Sequence, residues 1–221
     1  MSMKKKRVDT GQLTDSSEAR LIQRSRAGDQ LAFDELAGLY SRRLYNLGLK
    51  MLGNSDDAAD MAQDTLLKVY RSLAYFRGDA AFSTWVYRIA ANTCRDMLRS
   101  AYRRHEMNFS ELEDEDGKTE FVVADYSAFP EQILEERDTD AYLNQLIMGL
   151  KPKYRLVLAL RELHGLSYQE IADAVHLDIG TVKSRLNRAR AAMRQQFLAD
   201  AEHYPELRRL MGEQRSGKDE L

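Results

Sequence analysis

The stretch GTVKSRLNRARAAM, residues 180 to 193, sets Lys183, Arg185, Arg188 and Arg190 within one short run, with Arg194 just beyond. On a helix, Val182, Leu186, Ala189 and Met193 fall on one face at 100° per residue. That face must pack on neighbouring helices. The opposite side presents Lys183, Ser184, Asn187, Arg188 and Arg194, and Arg185 and Arg190 lie toward the rims. A cationic helix with short hydrogen-bonding groups between its charges fits a DNA major groove. Central side chains reach base edges there, and rim cations reach phosphates. A solvated basic helix is the plainer reading of the same residues.

A second cationic stripe runs through residues 83–104. Trp85, Arg88, Asn92, Arg95, Arg99 and Arg103 recur every three or four positions, beside a core stripe of Val86, Ile89, Ala90, Thr93 and Met97. Phe76, Phe82 and Tyr87 cluster at its start. Arginines that track a backbone, headed by rings that stack on unpaired bases, suit single-stranded DNA, at about 1–3 kcal/mol per stacked base. The plain alternative is that Trp85 and the phenylalanines are simply core.

A third stripe is acidic. Asp57, Asp60, Gln63 and Asp64 share one side of residues 55–75, opposite Leu66, Val69 and Leu73. It is either plain solvated surface or a docking face for a basic protein. No catalytic constellation accompanies these stripes. His105, His164, His176 and His203 are scattered without metal-ligand spacing, and no Walker-type phosphate loop occurs. Neither metal nor cofactor is expected.

The elements that must carry these stripes are helical. Three prolines in 221 residues and an abundance of helix formers predict an all-α protein. Gly28 and Gly53 stop periodic runs, Ser55 reads as an N-cap, Phe76-Arg77-Gly78-Asp79 reads as a turn, and Ser83 reads as the cap of a helix to about Arg104. Pro152 opens a helix that Gly165 ends. Ser167 and Glu170 have the spacing of a capping box, His176 and Leu177 form a tight turn, and Asp178 can cap the cationic helix. Two short helices across a tight turn make a helix-turn-helix, with the cationic helix second.

Charge divides the chain. The net charge is −2, yet residues 106–138, which include ELEDEDGKTE, hold twelve acids against two bases, a local charge of −10. The rest of the chain therefore carries +8. The expected organisation is two small helical domains, 15–105 and 139–198, joined by an acidic linker at 106–138 and followed by a tail at 199–221. The single cysteine, Cys94, rules out an intrachain disulfide and fits a reducing cytoplasm. The longest aliphatic run, Leu156 to Leu160, is far too short to span a membrane. The closing KDEL has the form of a retention address; with no apolar stretch after the opening lysines, it reads as coincidence.

Three segments in order, DDAADMAQDTLLKVY, FRGDAAFSTWVYRIAANTCRDMLR and LSYQEIADAVHLDIGTVKSRLNRARAAM, resemble the extracytoplasmic-function (ECF) sigma factors, compact promoter-reading subunits of bacterial RNA polymerase. The resemblance runs from about Leu21 to Met193. It implies that Asp60, Gln63 and Asp64 dock on the polymerase clamp. It implies that Phe82, Trp85, Arg88, Asn92 and Arg95 open and hold the −10 element. Thr181, Lys183, Ser184, Arg185, Asn187 and Arg188 would read the −35 element. The linker would thread the RNA path of core RNA polymerase, and an anti-sigma factor would hold the free protein inactive. The alternative is a stand-alone helix-turn-helix regulator of duplex DNA, which needs neither the acidic stripe nor a single-strand site. An enzyme with an incidental DNA-binding domain is a rival from a different class.

Overall fold

The computed structural model of the chain describes residues 10–104 and 136–203. The expected linker lies largely outside these residues, as does the tail beyond His203. The described chain is all helical, with no strand among the described residues. The first block comprises α1 (Thr10–Arg26), α2 (Gln30–Leu52), α3 (Ser55–Ser72), a 3-10 turn (Leu73–Tyr75) and α4 (Phe82–Arg104). The second comprises α5 (Glu136–Met148), α6 (Pro152–Glu162), α7 (Tyr168–Val175) and α8 (Ile179–His203). Helix α5 opens inside the span expected as linker, and α8 continues past the boundary expected at 198.

Local chemistry explains the helix ends. Asp29 caps α2 by accepting from the Ala32 amide at 3.0 Å, and its carboxyl is held below the ordinary value first by that bond and then by Arg24. Gly53 ends α2 at φ +85°, a conformation a side chain would strain. Asn54, not Ser55, caps α3, accepting from the Asp57 amide at 2.8 Å. Ser55 is the first helical residue instead. Likewise α4 starts at Phe82, with the Trp85 amide bonded to the Ala81 carbonyl, so Ser83 lies inside the helix it was expected to cap.

Helices α2, α3 and α4 pack on one another around Leu36, Leu44, Leu47, Met51, Met61 and Val86, all essentially inaccessible. The closest approach is at Gly48. A Cβ there would lie 2.9 Å from the Ala58 Cα and 2.8 Å from the Met61 methyl.

Helix α6 is the pivot of the second block. Every residue from Pro152 to Leu160 is buried. A helix apolar or buried all round must be covered on all sides, and α6 is covered by α2 on one side and by α7 and α8 on the other. Arg155 is part of this interior. It donates to the Met51 carbonyl at the end of α2 (2.8 Å), to Leu150 (2.8 Å) and to Met148. The guanidinium is thus a pin between the blocks, placed where unpaired helix-end carbonyls carry partial negative charge.

Candidate nucleic-acid interface

The helix-turn-helix is built as its caps require. Ser167 accepts from the Glu170 amide at 3.2 Å, and Glu170 accepts from the Ser167 amide at 2.8 Å, a complete capping box. Such a cap contributes about 1 kcal/mol. The turn closes at His176, which takes a left-handed conformation with φ 56°. Asp178 then caps α8, accepting from the Thr181 amide (2.8 Å) and hydroxyl (2.5 Å); these bonds, the hydroxyl's foremost, hold its carboxyl below the usual range.

Val182, Leu186 and Ala189 are buried and Met193 is partly so, which fixes the rotation of α8. Lys183, Ser184 and Asn187 are consequently exposed together, with Thr181, Arg185 and Arg188 half-exposed beside them. Arg190 is turned away. Its guanidinium pairs with Glu162 of α6 at 2.6 Å, so it braces the motif rather than its outer face.

The second stripe is arranged differently from its sequence reading. Phe82 and Trp85 are 5% and 8% exposed. With Phe76 they form a cluster of rings whose centroids lie 5.1–5.5 Å apart, and Tyr40 closes its inner side at 5.6 Å from Phe82. The rings are core, and Trp85 also lines a cavity of about 230 Å³. Its lining is the 75–80 segment, Thr84, Trp85 and Arg88, with Asp173 of α7. Gly78 turns that segment at φ +80°. Asn92 is exposed further along α4 and accepts from Arg95 at 3.2 Å.

Asp60, Gln63 and Asp64 are all exposed on α3. Of the three, Gln63 lines a groove of about 710 Å³ between α2 and α3, floored by Phe33, Ala37, Leu66 and Tyr70. Leu67 and Tyr70 lie along it 44% and 51% exposed. Sequence reasoning missed this apolar groove beside the acids. The available signal was Leu67 and Tyr70, three apart and off the core stripe of α3.

Among the described residues no group of His, Cys, Asp and Glu is placed to hold a metal ion. His164 stands at the seam between the blocks, its Nδ1 2.9 Å from the Tyr87 hydroxyl of α4. Burial pushes the Tyr87 phenol up to about 12 and holds His164 down to about 4, with Arg43 lowering it further. The phenol is therefore the donor and the neutral imidazole the acceptor. Neither this bond nor the Arg155 pin was anticipated from the sequence.

An all-α chain in two parts, the second a helix-turn-helix with an exposed cationic face, is a DNA-binding protein of the transcriptional type. Family comparison sharpens the class. Residues 36–104 match Sigma-70 region 2, and residues 140–193 match Sigma-70 region 4. The chain is 37% identical over 185 residues to the RNA polymerase sigma-H factor of Pseudomonas aeruginosa, covering 82% of this chain and 94% of that one. It is 34% identical over 178 residues to the ECF RNA polymerase sigma factor SigW of Bacillus subtilis, covering 80% and 94%. Its fold matches CnrH, solved in complex with the cytosolic domain of CnrY, at a TM-score of 0.60 and 23% identity over 83% of this chain and 99% of that one. The chain belongs to the ECF sigma factors. Its role is that of a sigma factor in transcription initiation, not of a stand-alone helix-turn-helix regulator.

Proposed function

We propose that the two blocks divide promoter recognition between them. Residues 15–105 engage the polymerase clamp and the −10 element, residues 139–198 read the −35 element, and the acidic segment 106–138 spans the RNA path. The observation that carries this reading is the joint exposure of Lys183, Ser184 and Asn187 on a helix whose rotation is fixed by Val182, Leu186 and Ala189. Thr181, Arg185 and Arg188 complete the −35 face. A good bidentate contact to a base there is worth about 1–3 kcal/mol of discrimination.

On the first block, Trp85 and Arg88 line the single-strand pocket, Phe82 packs against Trp85, and Asn92 and Arg95 continue the stripe along α4. Removing a base from the stack costs a few kcal/mol. Stacking at the pocket and contacts along the arginine stripe offset that cost, so opening proceeds by binding, without turnover of a substrate. Asp60, Gln63 and Asp64 flank the apolar α2–α3 groove and together form the polymerase-docking face. Held on one polymerase, the two weak DNA contacts act at high effective concentration. The protein works in the cytoplasm, and an anti-sigma factor restrains it by covering these same faces.

The assignments separate under substitution. Asp60→Arg abolishes capture by sigma-free core polymerase while the circular dichroism spectrum is unchanged. Lys183→Ala leaves capture intact and alters the preference at −35 positions. Normal capture of Asp60→Arg overturns the docking assignment.

A further inference from the structure

A further group of cations gathers away from the stripes of α4 and α8. Arg43, Asn46 and Lys50 follow one another on α2 at spacings of three and four, which puts them on one face of that helix. Leu163 and His164, just past the end of α6, meet that face. With Leu49 these residues line a recess of about 320 Å³. No carboxylate is among its lining residues, and none of them belongs to the acidic stripe of α3 or to the cationic stripes.

The bonding of His164 shows what the recess lacks. Its Nδ1 lies 2.9 Å from the Tyr87 hydroxyl, and the phenol is the donor. The neutral imidazole therefore carries its proton on Nε2. Nε2 is buried and has no hydrogen-bond partner among the described residues. A buried donor without an acceptor is unfavourable and uncommon in folded chains. The charge of Arg43 reaches the same place. After burial, which raises Tyr87 and lowers His164, Arg43 is the next influence on both groups and lowers each. Two cations, an amide and a ring donor around a concave space are complementary to an oxyanion held by charge-assisted hydrogen bonds. Two formal positive charges match a multiply charged anion. A volume of about 320 Å³ is the share of roughly ten liquid waters at about 30 Å³ each, room for more than one phosphoryl group. It also reaches the lower end of the range for small-molecule sites.

We propose that this recess binds a small oligophosphate anion, with Arg43 and Lys50 as its charged contacts and Asn46 and the imidazole of His164 as neutral donors. The site does not depend on which faces read the promoter. Since α2 lies in one block and His164 in the other, the bound anion stabilises the chain in this packing by mass action.

Isothermal titration of magnesium-free pyrophosphate into the full-length chain, at ionic strength held constant with potassium chloride, tests the site. The wild type is expected to show saturable uptake at a single site, and pyrophosphate should raise its melting temperature. Arg43→Gln and Lys50→Gln should each weaken binding by roughly tenfold or more, because each removes a charge-assisted hydrogen bond. Circular dichroism checks that both variants fold. Arg71→Gln, exposed on α3 and outside the recess, is the control for net charge and should shift affinity by less than about twofold. Displacement of pyrophosphate by ATP keeps the site and assigns it to the phosphate tail of a nucleotide. Retention of pyrophosphate against ATP keeps the site and confines it to free inorganic oligophosphate. No saturable uptake by the wild type, or equal uptake by all four proteins, overturns it.

Discussion

Arg155 is the residue on which the seam between the blocks most depends. Three carbonyls in the interior accept from its guanidinium. Arg155→Met leaves them unpaired where water cannot replace the donor, and each buried unmet group costs about 1–3 kcal/mol. The expected loss is about 3 kcal/mol or more in urea unfolding. His164 adds a pH dependence. It is neutral in the packed state, held down to about 4 by burial and then by Arg43, with Lys50 lining the same recess and Tyr87 facing it from α4. A separated or unfolded chain takes up that proton near 6.5. The packed state is thus fully favoured above about 6.5 and loses stability progressively as pH falls toward 4. The urea midpoint should drop between pH 7.5 and 5, and His164→Gln should flatten that drop. Cys94 is the quiet counterpart. Buried completely, its thiol is pushed up to about 12, which keeps it protonated and unreactive.

At the scale of elements, the α2–α3 pair is set by Gly48. Gly48→Ala places a methyl 2.9 Å from the Ala58 Cα, which is backbone and cannot swing aside. The helices must separate, at about 1–3 kcal/mol, and the groove along Phe33, Leu66 and Tyr70 changes shape with them. Thermal unfolding should register the cost, and core-polymerase affinity should fall with it. What the sequence disclosed of these elements follows the range of the forces involved. The capping box of α7, the Pro152 start and the Asp178 cap were all legible, because each depends on residues within three or four positions. The caps of α3 and α4 were misplaced: Asn54 takes the place read for Ser55, where neighbouring polar residues compete for one cap, and α4 already begins at Phe82, so Ser83, two positions beyond Ala81, comes too late to cap it. Arg155 and the α2–α3 groove were not legible. Their partners lie on other helices, and no periodicity within α6 or α3 reveals which helix will arrive.

For the whole molecule, the stripes found in the sequence became three faces with unequal access. The proposed −35 face is exposed, the acids of α3 are exposed beside an apolar groove, and the rings proposed for the −10 element are buried against one another and Tyr40. The burial of Phe82 and Trp85 could not be read from α4 alone, because the same spacing serves a stacking platform and a core. No helix among the described residues is long and apolar enough to cross a membrane. In the proposed function, binding energy at these three faces opens the promoter.

That claim is tested most directly by run-off transcription with sigma-free core polymerase, on duplex fragments of the source genome and on the same promoters premelted around −10. The wild type should start transcripts at discrete sites on duplex templates. Trp85→Ala should fail on duplex and recover on the premelted templates, where no base has to be unstacked. Equal initiation by Trp85→Ala on duplex DNA, or no initiation by the wild type on any fragment, would contradict the account.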